Sequence, residues 1–361
     1  MIGSSQLFDI LENISVMANS IQIKQDAKRF QQCRSLDEVA TLLQTSSSKI
    51  GLFCAHPRYH IYNIKKANGK SRLIEDPVQP AKLILRRLND YLQACYHALR
   101  PRCVHGFSIC SGAEEERNIV SNAMQHIGKP WLLNIDFRDF FHTIRFEQVH
   151  SIWQQHFKKF NRQLAVSLTQ FTCFNNRLPM GSPTSPVLSN YASLGLDAEL
   201  AQLCSNCGIN YTRFADDCSF SSNQEIDSNS IRLIRDTIIS HQFIINEDKV
   251  VLYKPGEEKM VTGIVVGQSE VSLPAVYLVR IQNEIQRLKD TLMVEVRYQT
   301  GMSLKKLKLF EQELRGKINY AQMVLGHTAE TAQLVSSFEE ALHPAEAYES
   351  SDWLDIPYNF Y

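Results

Sequence analysis

Residues 133–144, LNIDFRDFFHTI, and residues 211–222, YTRFADDCSFSS, decide how this chain is read. The first places Asp136 directly behind the short apolar run WLLNI (131–135), which has the length and composition of a buried strand. A carboxylate there is costly unless it is paired or holds a metal. The second reads as a β-hairpin with two adjacent acids, Asp216 and Asp217, between apolar stretches. Adjacent acids at a turn are, taken alone, an ordinary turn, because Asp bonds its own backbone well. Three carboxylates on two neighbouring strands are different. They suit one or two Mg²⁺ ions, which take oxygen ligands, and a pair of such ions can activate a hydroxyl and stabilise a leaving pyrophosphate.

Around these segments the pattern is mixed. Residues 1–50 carry helical apolar spacing, with Ser35 placed to cap one helix. Residues 59–76 alternate like two strands about Ala67-Asn68-Gly69, and a helix follows Pro77 or Pro80. Residues 147–171 read as helical. LPMGSPTSPVLSN (178–190) reads as a rigid loop running into a helix through residue 203. A helix at 229–241, short strands in KVVLYK and VTGIVVG, and a helical region from Pro274 complete the series.

The bulk numbers set bounds. A chain of 361 residues suits two or three subdomains about a cleft. Its 44% hydrophobic and 21% charged residues are ordinary for a soluble protein, and no apolar run approaches the roughly 18–20 residues of a membrane span. The N-terminus lacks the pattern of a signal peptide, so the expected compartment is the cytoplasm, without a membrane partner. Nine scattered cysteines read as reduced thiols, and the single CxxC at Cys204–Cys207 lacks the second pair a zinc ribbon needs. The formal net charge of zero hides an asymmetry: residues 321–361 hold seven acids and no Lys or Arg, leaving the body at +7. That excess allows a phosphate-binding surface. The acidic end, closing on Trp353, Tyr358, Phe360 and Tyr361, reads either as a solvated tail or as a docking segment.

Taken together, the motifs resemble the reverse transcriptase family, and within it the retron type of bacteria. NIDFRDFF (134–141), LPMGSPTSPVLSN and RFADD (213–217) resemble its successive palm motifs, and NEDKV (246–250) a later palm segment. Asn122–His126, NAMQH, resembles the retron NAxxH motif, Val261-Thr262-Gly263 the VTG motif, and HGFSICSG (105–112) the segment before the palm. The resemblance covers roughly residues 50–325 and implies an α+β right hand of fingers, palm and helical thumb. The expected divisions are an N-terminal helical segment (1–50), fingers with a retron-type insertion (51–130), palm (131–270), thumb (271–325) and an acidic tail (326–361).

The same resemblance implies roles. Asp136, Asp216 and Asp217 are the expected catalytic metal ligands, joined by the backbone carbonyl of Phe137, with two Mg²⁺ (Mn²⁺ as a substitute). Lys65, Lys66 and Arg72 are expected to grip the deoxynucleoside triphosphate. Phe141 is the expected aromatic gate against a ribose 2′-hydroxyl, with core packing as the plainer alternative. Gly181 and Ser182 shape the floor under the incoming base, and Lys249 assists pyrophosphate departure. Asn122 and His126, four residues apart on one helical face, are expected to contact RNA, with ordering of the insertion before the palm as the alternative and a satisfied structural histidine as the plainer reading of His126. Bases outnumber acids nine to five between residues 275 and 320, which suits backbone contact with an RNA–DNA hybrid. Two positions depart from the family pattern: Phe214 stands for the usual Tyr, and Met180 for the usual Gln. The implied activity is RNA-directed DNA synthesis on a cognate structured non-coding RNA. It would be primed from a guanosine 2′-hydroxyl to give branched RNA–DNA (msDNA), in an anti-phage system with an effector protein. Alternatives are a group II intron-like or defence-associated reverse transcriptase with different priming, or a non-catalytic RNA-binding scaffold.

Overall fold

The computed structural model describes residues 19–65, 69, 71–110, 112, 116–298 and 304–343. In chain order the elements are α1 (19–31), α2 (Leu36–Leu42), α3 (Ser47–Ala55), β1 (Tyr59–Lys65), β2 (Ser71–Pro77), α4 (Ala81–His97), α5 (Ile119–Met124), β3 (Trp131–Asp136) and α6 (Phe140–Thr143). They continue with α7 (Phe146–His156), α8 (Arg162–Thr172), α9 (Ser185–Ala192), α10 (Leu194–Asn206), β4 (Ile209–Phe214), β5 (Asp217–Ser222) and α11 (Ser228–Ser240). A 3₁₀ turn (Glu247–Lys249) leads to β6 (Val251–Tyr253), then β7 (Lys259–Val261), β8 (Ile264–Val266), β9 (Val271–Ser272), α12 (Ala275–Tyr298), α13 (Leu304–Leu325) and α14 (Ala329–Leu342). Among the described residues no helix is long and apolar enough to cross a membrane.

The chain divides into two compact units at Glu257/Glu258. The first is built on an antiparallel sheet in the order β4-β5-β3-β6. Its two central strands, WLLNID and DCSFSS, are buried along nearly their whole length; the first reads as an apolar run, while the second buries Ser219, Ser221 and Ser222 beside Cys218 and Phe220. The aromatic core ties the N-terminal helices to the rest. Phe30 of α1, fully buried, lies 5.7 Å from Tyr91 of α4 and 5.5 Å from both Phe157 and Phe160. Burying such a ring contributes about 1.5–3 kcal/mol. The helical stretch expected over 147–171 is broken at 157–161, where Asn161 accepts the Leu164 N–H and caps α8. β1 and β2 form a separate two-stranded hairpin that exposes Ile61, Tyr62 and Ile64.

Two expected boundaries move. The palm was expected to run to residue 270, but β7, β8 and β9 pair with one another in a sheet of the second unit. Thr262 and Gly263, with φ of 49° and 83°, make the tight β7–β8 turn, so the VTG motif is a hairpin there. The tail was expected from 326, yet α14 is a capped helix whose Leu334, Phe338 and Ala341 are buried. Its buried side chains recur at spacings of three and four, so its acids lie on the outer face of a packed helix. Residues 344–361 lie outside the described residues.

Candidate active site

The site is set by strand register. β3 runs antiparallel to β5, and the last pair in that ladder is Asp136 opposite Asp217. β4 and β5 form the expected hairpin, with Ala215 and Asp216 at its turn. The Phe137 N–H donates to the Asp216 carbonyl at 3.0 Å, which fixes the turn against the end of β3. All three acids therefore meet at one edge of the sheet.

Their proximity raises their proton affinity. Burial, and then the charges of Asp216 and Asp136, push Asp217 up to about 7, and its carboxyl shares a hydrogen bond with Asp136. Burial and the Asp136 charge also raise Asp216. Like charges this close and this buried call for a cation or a proton. The cation found is Lys249, whose Nζ lies 2.7 Å from Asp136 Oδ2. Asn246 Nδ2 donates to Asp136 Oδ1 at 2.8 Å, and the Asn246 N–H to the Asp136 carbonyl at 2.9 Å. Among the described residues no three His, Cys, Asp or Glu side chains stand in ready-made metal geometry. Asp136 is turned toward Lys249 instead. The donor set still fits a hard divalent ion, since three carboxylates supply oxygen ligands and the amine that now neutralises one of them is half exposed.

The other expected residues divide into those brought to this edge and those that are not. Arg72, on β2 opposite Ile64, is close enough for its charge to lower the Asp216 pKa, although burial wins. Lys65 ends β1 as an exposed side chain, and Lys66 lies outside the described residues. Phe137 is buried and stacks on Phe243 at 5.1 Å. Phe141 is half-buried and packed against the core, 5.6 Å from Phe140 and 6.0 Å from Phe107. Gly181 has φ of 130°, and a Cβ there would lie 2.9 Å from the Glu75 carbonyl. Only glycine lets this loop lie against β2, where the Glu75 N–H donates to the Met180 carbonyl at 2.7 Å. Ser182 is buried, with its hydroxyl 3.2 Å from that of Thr184.

Asn122 and His126 require a correction. Both are buried, at 0% and 1% exposure, and His126 lies two residues beyond the end of α5. Its Nδ1 is 2.7 Å from Ser221 Oγ on β5 and its Nε2 is 2.7 Å from Thr212 Oγ1 on β4. With both ring nitrogens engaged inside the protein, His126 pins the insertion to the catalytic hairpin; it is not placed to reach RNA.

Sequence reasoning missed three groups. Asn246 lay inside NEDKV, which was read for its lysine alone. Glu75, 1% exposed, receives a bidentate bond from Arg177 at 2.6 and 2.9 Å, with His142 Nε2 at 3.3 Å, and so clamps β2 to the loop before Gly181. Arg213 and Asp197, both fully buried, pair beneath the hairpin turn. A charged residue within an apolar strand was the available signal for Arg213.

The reverse transcriptase (RNA-dependent DNA polymerase) family profile matches residues 64–278, more than half of the chain. The retron Ec86 reverse transcriptase of Escherichia coli is 31% identical over 65% of this chain and 71% of its own length. This chain belongs to the retron reverse transcriptases. The retron Ec83 reverse transcriptase of Escherichia coli is 28% identical over 57% of this chain and 67% of that protein, and the retron Mx65 reverse transcriptase of Myxococcus xanthus 27% over 64% and 58%. Among solved structures, telomerase from Candida albicans has a TM-score of 0.45 at 10% identity, covering 81% of this chain and 64% of that one. As a retron reverse transcriptase this chain is an RNA-directed DNA polymerase of α+β fold that works on an RNA template, and its family uses divalent metal ions.

Proposed function

We propose that Asp136, Asp216 and Asp217, with the Phe137 carbonyl, would hold two Mg²⁺ ions, and that the chain joins deoxynucleotides on a structured RNA at this site. The observation that carries this reading is the register pair Asp136–Asp217 with Asp216 at the adjoining turn, three acids that resist sharing one edge unless a cation joins them. When bound, the ions supply a polarised 3′-hydroxyl and charge stabilisation for pyrophosphate. The chain's own residues do the positioning. Lys65, Lys66 and Arg72 receive the triphosphate, a task for which Arg72 has the right charge near Asp216. Gly181 and Ser182 floor the base site, and Phe141 meets the sugar at its 2′ position. Lys249, whose Nζ lies 2.7 Å from Asp136, would assist pyrophosphate departure from its place beside the acids.

The substrate in this reading is a cognate structured non-coding RNA that is both template and primer. Synthesis begins at a guanosine 2′-hydroxyl and leaves branched RNA–DNA (msDNA), in an anti-phage defence system with an effector protein as a further partner. Membership in the retron reverse transcriptases supports this. The test is to express the chain with its neighbouring non-coding sequence and sequence the nucleic acid that copurifies, for the wild type and for the Asp216→Ala, Asp217→Ala double variant. Branched DNA in the first and its loss from the second, with RNA still bound, is the expected result. Branched DNA surviving in the double variant overturns the metal-site assignment. RNA without DNA in both favours a binding scaffold.

A further inference from the structure

Beneath the hairpin turn lies a fully buried polar group that the polymerase chemistry above does not use. Arg213, Asp197 and Asn190 are each 0% exposed. Asp197 on α10 accepts from Arg213 Nε at 2.7 Å and Nη2 at 2.6 Å, and from the Tyr211 hydroxyl at 2.9 Å. Nη1 of Arg213 is left to point along the strand. It donates to the carbonyl of Ala215 at 3.0 Å and to Asn190 Oδ1 at 3.2 Å. The amide of Asn190 then donates to the carbonyls of Gly106 and Phe107, at 3.0 and 3.1 Å.

Ala215 immediately precedes Asp216 in the turn between β4 and β5. Its φ of 58° is left-handed, a conformation non-glycine residues rarely adopt without outside support. Support comes from two sides. Arg213 holds the Ala215 carbonyl from within. From without, the segment Cys103–Gly106 lies along β4: the Arg213 N–H donates to the Cys103 carbonyl at 2.8 Å, and the His105 N–H to the Arg213 carbonyl at 2.9 Å. A Cβ on Gly106 would stand 2.6 Å from the Ala215 nitrogen, so this backbone is pressed against the turn itself. Asn190 closes the circuit by bonding both the arginine and the pressed loop.

A buried ion pair is poor evidence for stability, since apolar residues of similar volume often serve as well. What apolar residues cannot do is fix a carbonyl at a stated place. We infer that Arg213 and Asn190 are positioning residues that set the Ala215 turn, and through it the aim of Asp216 and Asp217 at the divalent ions; this rests on the metal-site reading above. Arg213→Lys keeps the charge for Asp197 but loses the fork that reaches Ala215. Asn190→Asp keeps the acceptor for Arg213 and loses both donations to the 106–107 loop.

The test is direct Mn²⁺ binding, read by electron paramagnetic resonance on the full chain freed of nucleic acid, beside a thermal melt of each variant. Wild type and Asp216→Ala come first: if the wild type binds no Mn²⁺, or Asp216→Ala binds it as well, the metal-site reading fails and this inference falls with it. With that control passed, Arg213→Lys and Asn190→Asp are expected to weaken Mn²⁺ binding about 10–100-fold, the usual consequence of losing a group that orients ligands. Leu168→Ala, a core truncation in α8, matches the loss of melting temperature and is expected to leave Mn²⁺ affinity unchanged. If Arg213→Lys and Asn190→Asp melt lower but bind Mn²⁺ like the wild type, their role is structural only and the inference is wrong. Should Arg213→Lys or Asn190→Asp fail to fold, Tyr211→Phe, which removes one bond to Asp197 and no charge, decides by the same comparison.

Discussion

His126 offers the sharpest separation between a structural and an RNA-binding role. Burial, with the charges of His105 and Lys129 as smaller contributions, lowers its pKa from 6.5 to about 3, so the folded chain holds the ring neutral between two hydroxyls. The unfolded chain binds the proton near 6.5. Between these values the unfolded state carries more protons, so the stability is fully present above about 6.5 and is lost as pH falls toward about 3. From about pH 7 down to about pH 5 the loss is roughly 1.5 pKa units, or ~2 kcal/mol for this one ring. His105, lowered to about 4 chiefly by burial, adds a similar loss in the same window. His126→Gln removes the titration and one or both buried hydrogen bonds. The variant should be less stable than the wild type at about pH 8 by ~1–3 kcal/mol, and it should lose ~2 kcal/mol less than the wild type on going to about pH 5. In a unit of this size ~2 kcal/mol corresponds to a melting shift of about 4–8 °C. Circular dichroism melts at the two pH values, with RNA affinity measured well below the melting range, check both parts. Identical pH slopes in the two proteins, or a roughly tenfold drop in RNA affinity (~1.4 kcal/mol) at unchanged melting temperature, would refute the structural role.

Three further outcomes follow from the same geometry. Glu75→Gln strips the charge that the bidentate Arg177 contact answers, and because Arg177 keeps slight exposure the loss should fall at about 3 kcal/mol, the low end for a broken buried pair; a thermal melt indistinguishable from wild type would count against the clamp. Asp217→Asn should raise the melting temperature in EDTA at about pH 8. The raised carboxyl pKa destabilises the folded chain progressively as pH climbs from 3.8 to about 7, and removing it returns ~1–2 kcal/mol after allowance for screening. Phe141→Ala should raise ribonucleotide incorporation relative to deoxynucleotide by roughly tenfold or more in primer extension, and unchanged discrimination would return Phe141 to core packing.

What the sequence made legible, and what it did not, follows physical lines. The strand ending in Asp136 and the hairpin turn at Asp216 could be read because their signals are local: an apolar run, a turn, a charge where burial forbids one. The clamp between Glu75 and Arg177 spans 102 positions, and nothing local marks either partner as buried. His126 misled for a related reason. Helical spacing put Asn122 and His126 on one face, but α5 ends at Met124, and spacing cannot say whether a residue meets solvent or a strand. Ser221 and Thr212 answer that, and they sit 95 and 86 residues away. The acidic tail was misjudged at its start because charge was weighed and the apolar spacing of Leu334, Phe338 and Ala341 was not.

The acids, the amine and the proton at the catalytic edge also fix how metal loading must depend on pH. In this structure the three carboxylates are balanced by Lys249 on Asp136 and by the high proton affinity of Asp217. On the proposed metal-site reading, a divalent ion binds once Asp217 gives up its proton and Asp136 turns from the amine. Lys249 is no obstacle, since its side chain is 52% exposed and can swing into solvent. The proton is the obstacle, because burial and the charges of Asp216 and Asp136 push Asp217 from the ordinary 3.8 up to about 7. Mn²⁺ affinity should therefore rise steeply up to about pH 7, by as much as about tenfold per pH unit where one proton is displaced, and level off above it. Titrating Mn²⁺ at about pH 6 and about pH 8 should show an affinity difference of roughly tenfold. In Asp217→Asn the dependence should flatten while the affinity falls. An affinity already level from about pH 5 upward would mean that Asp217 titrates like an exposed carboxylate, and that the crowding of the three acids is relieved by something other than a shared proton.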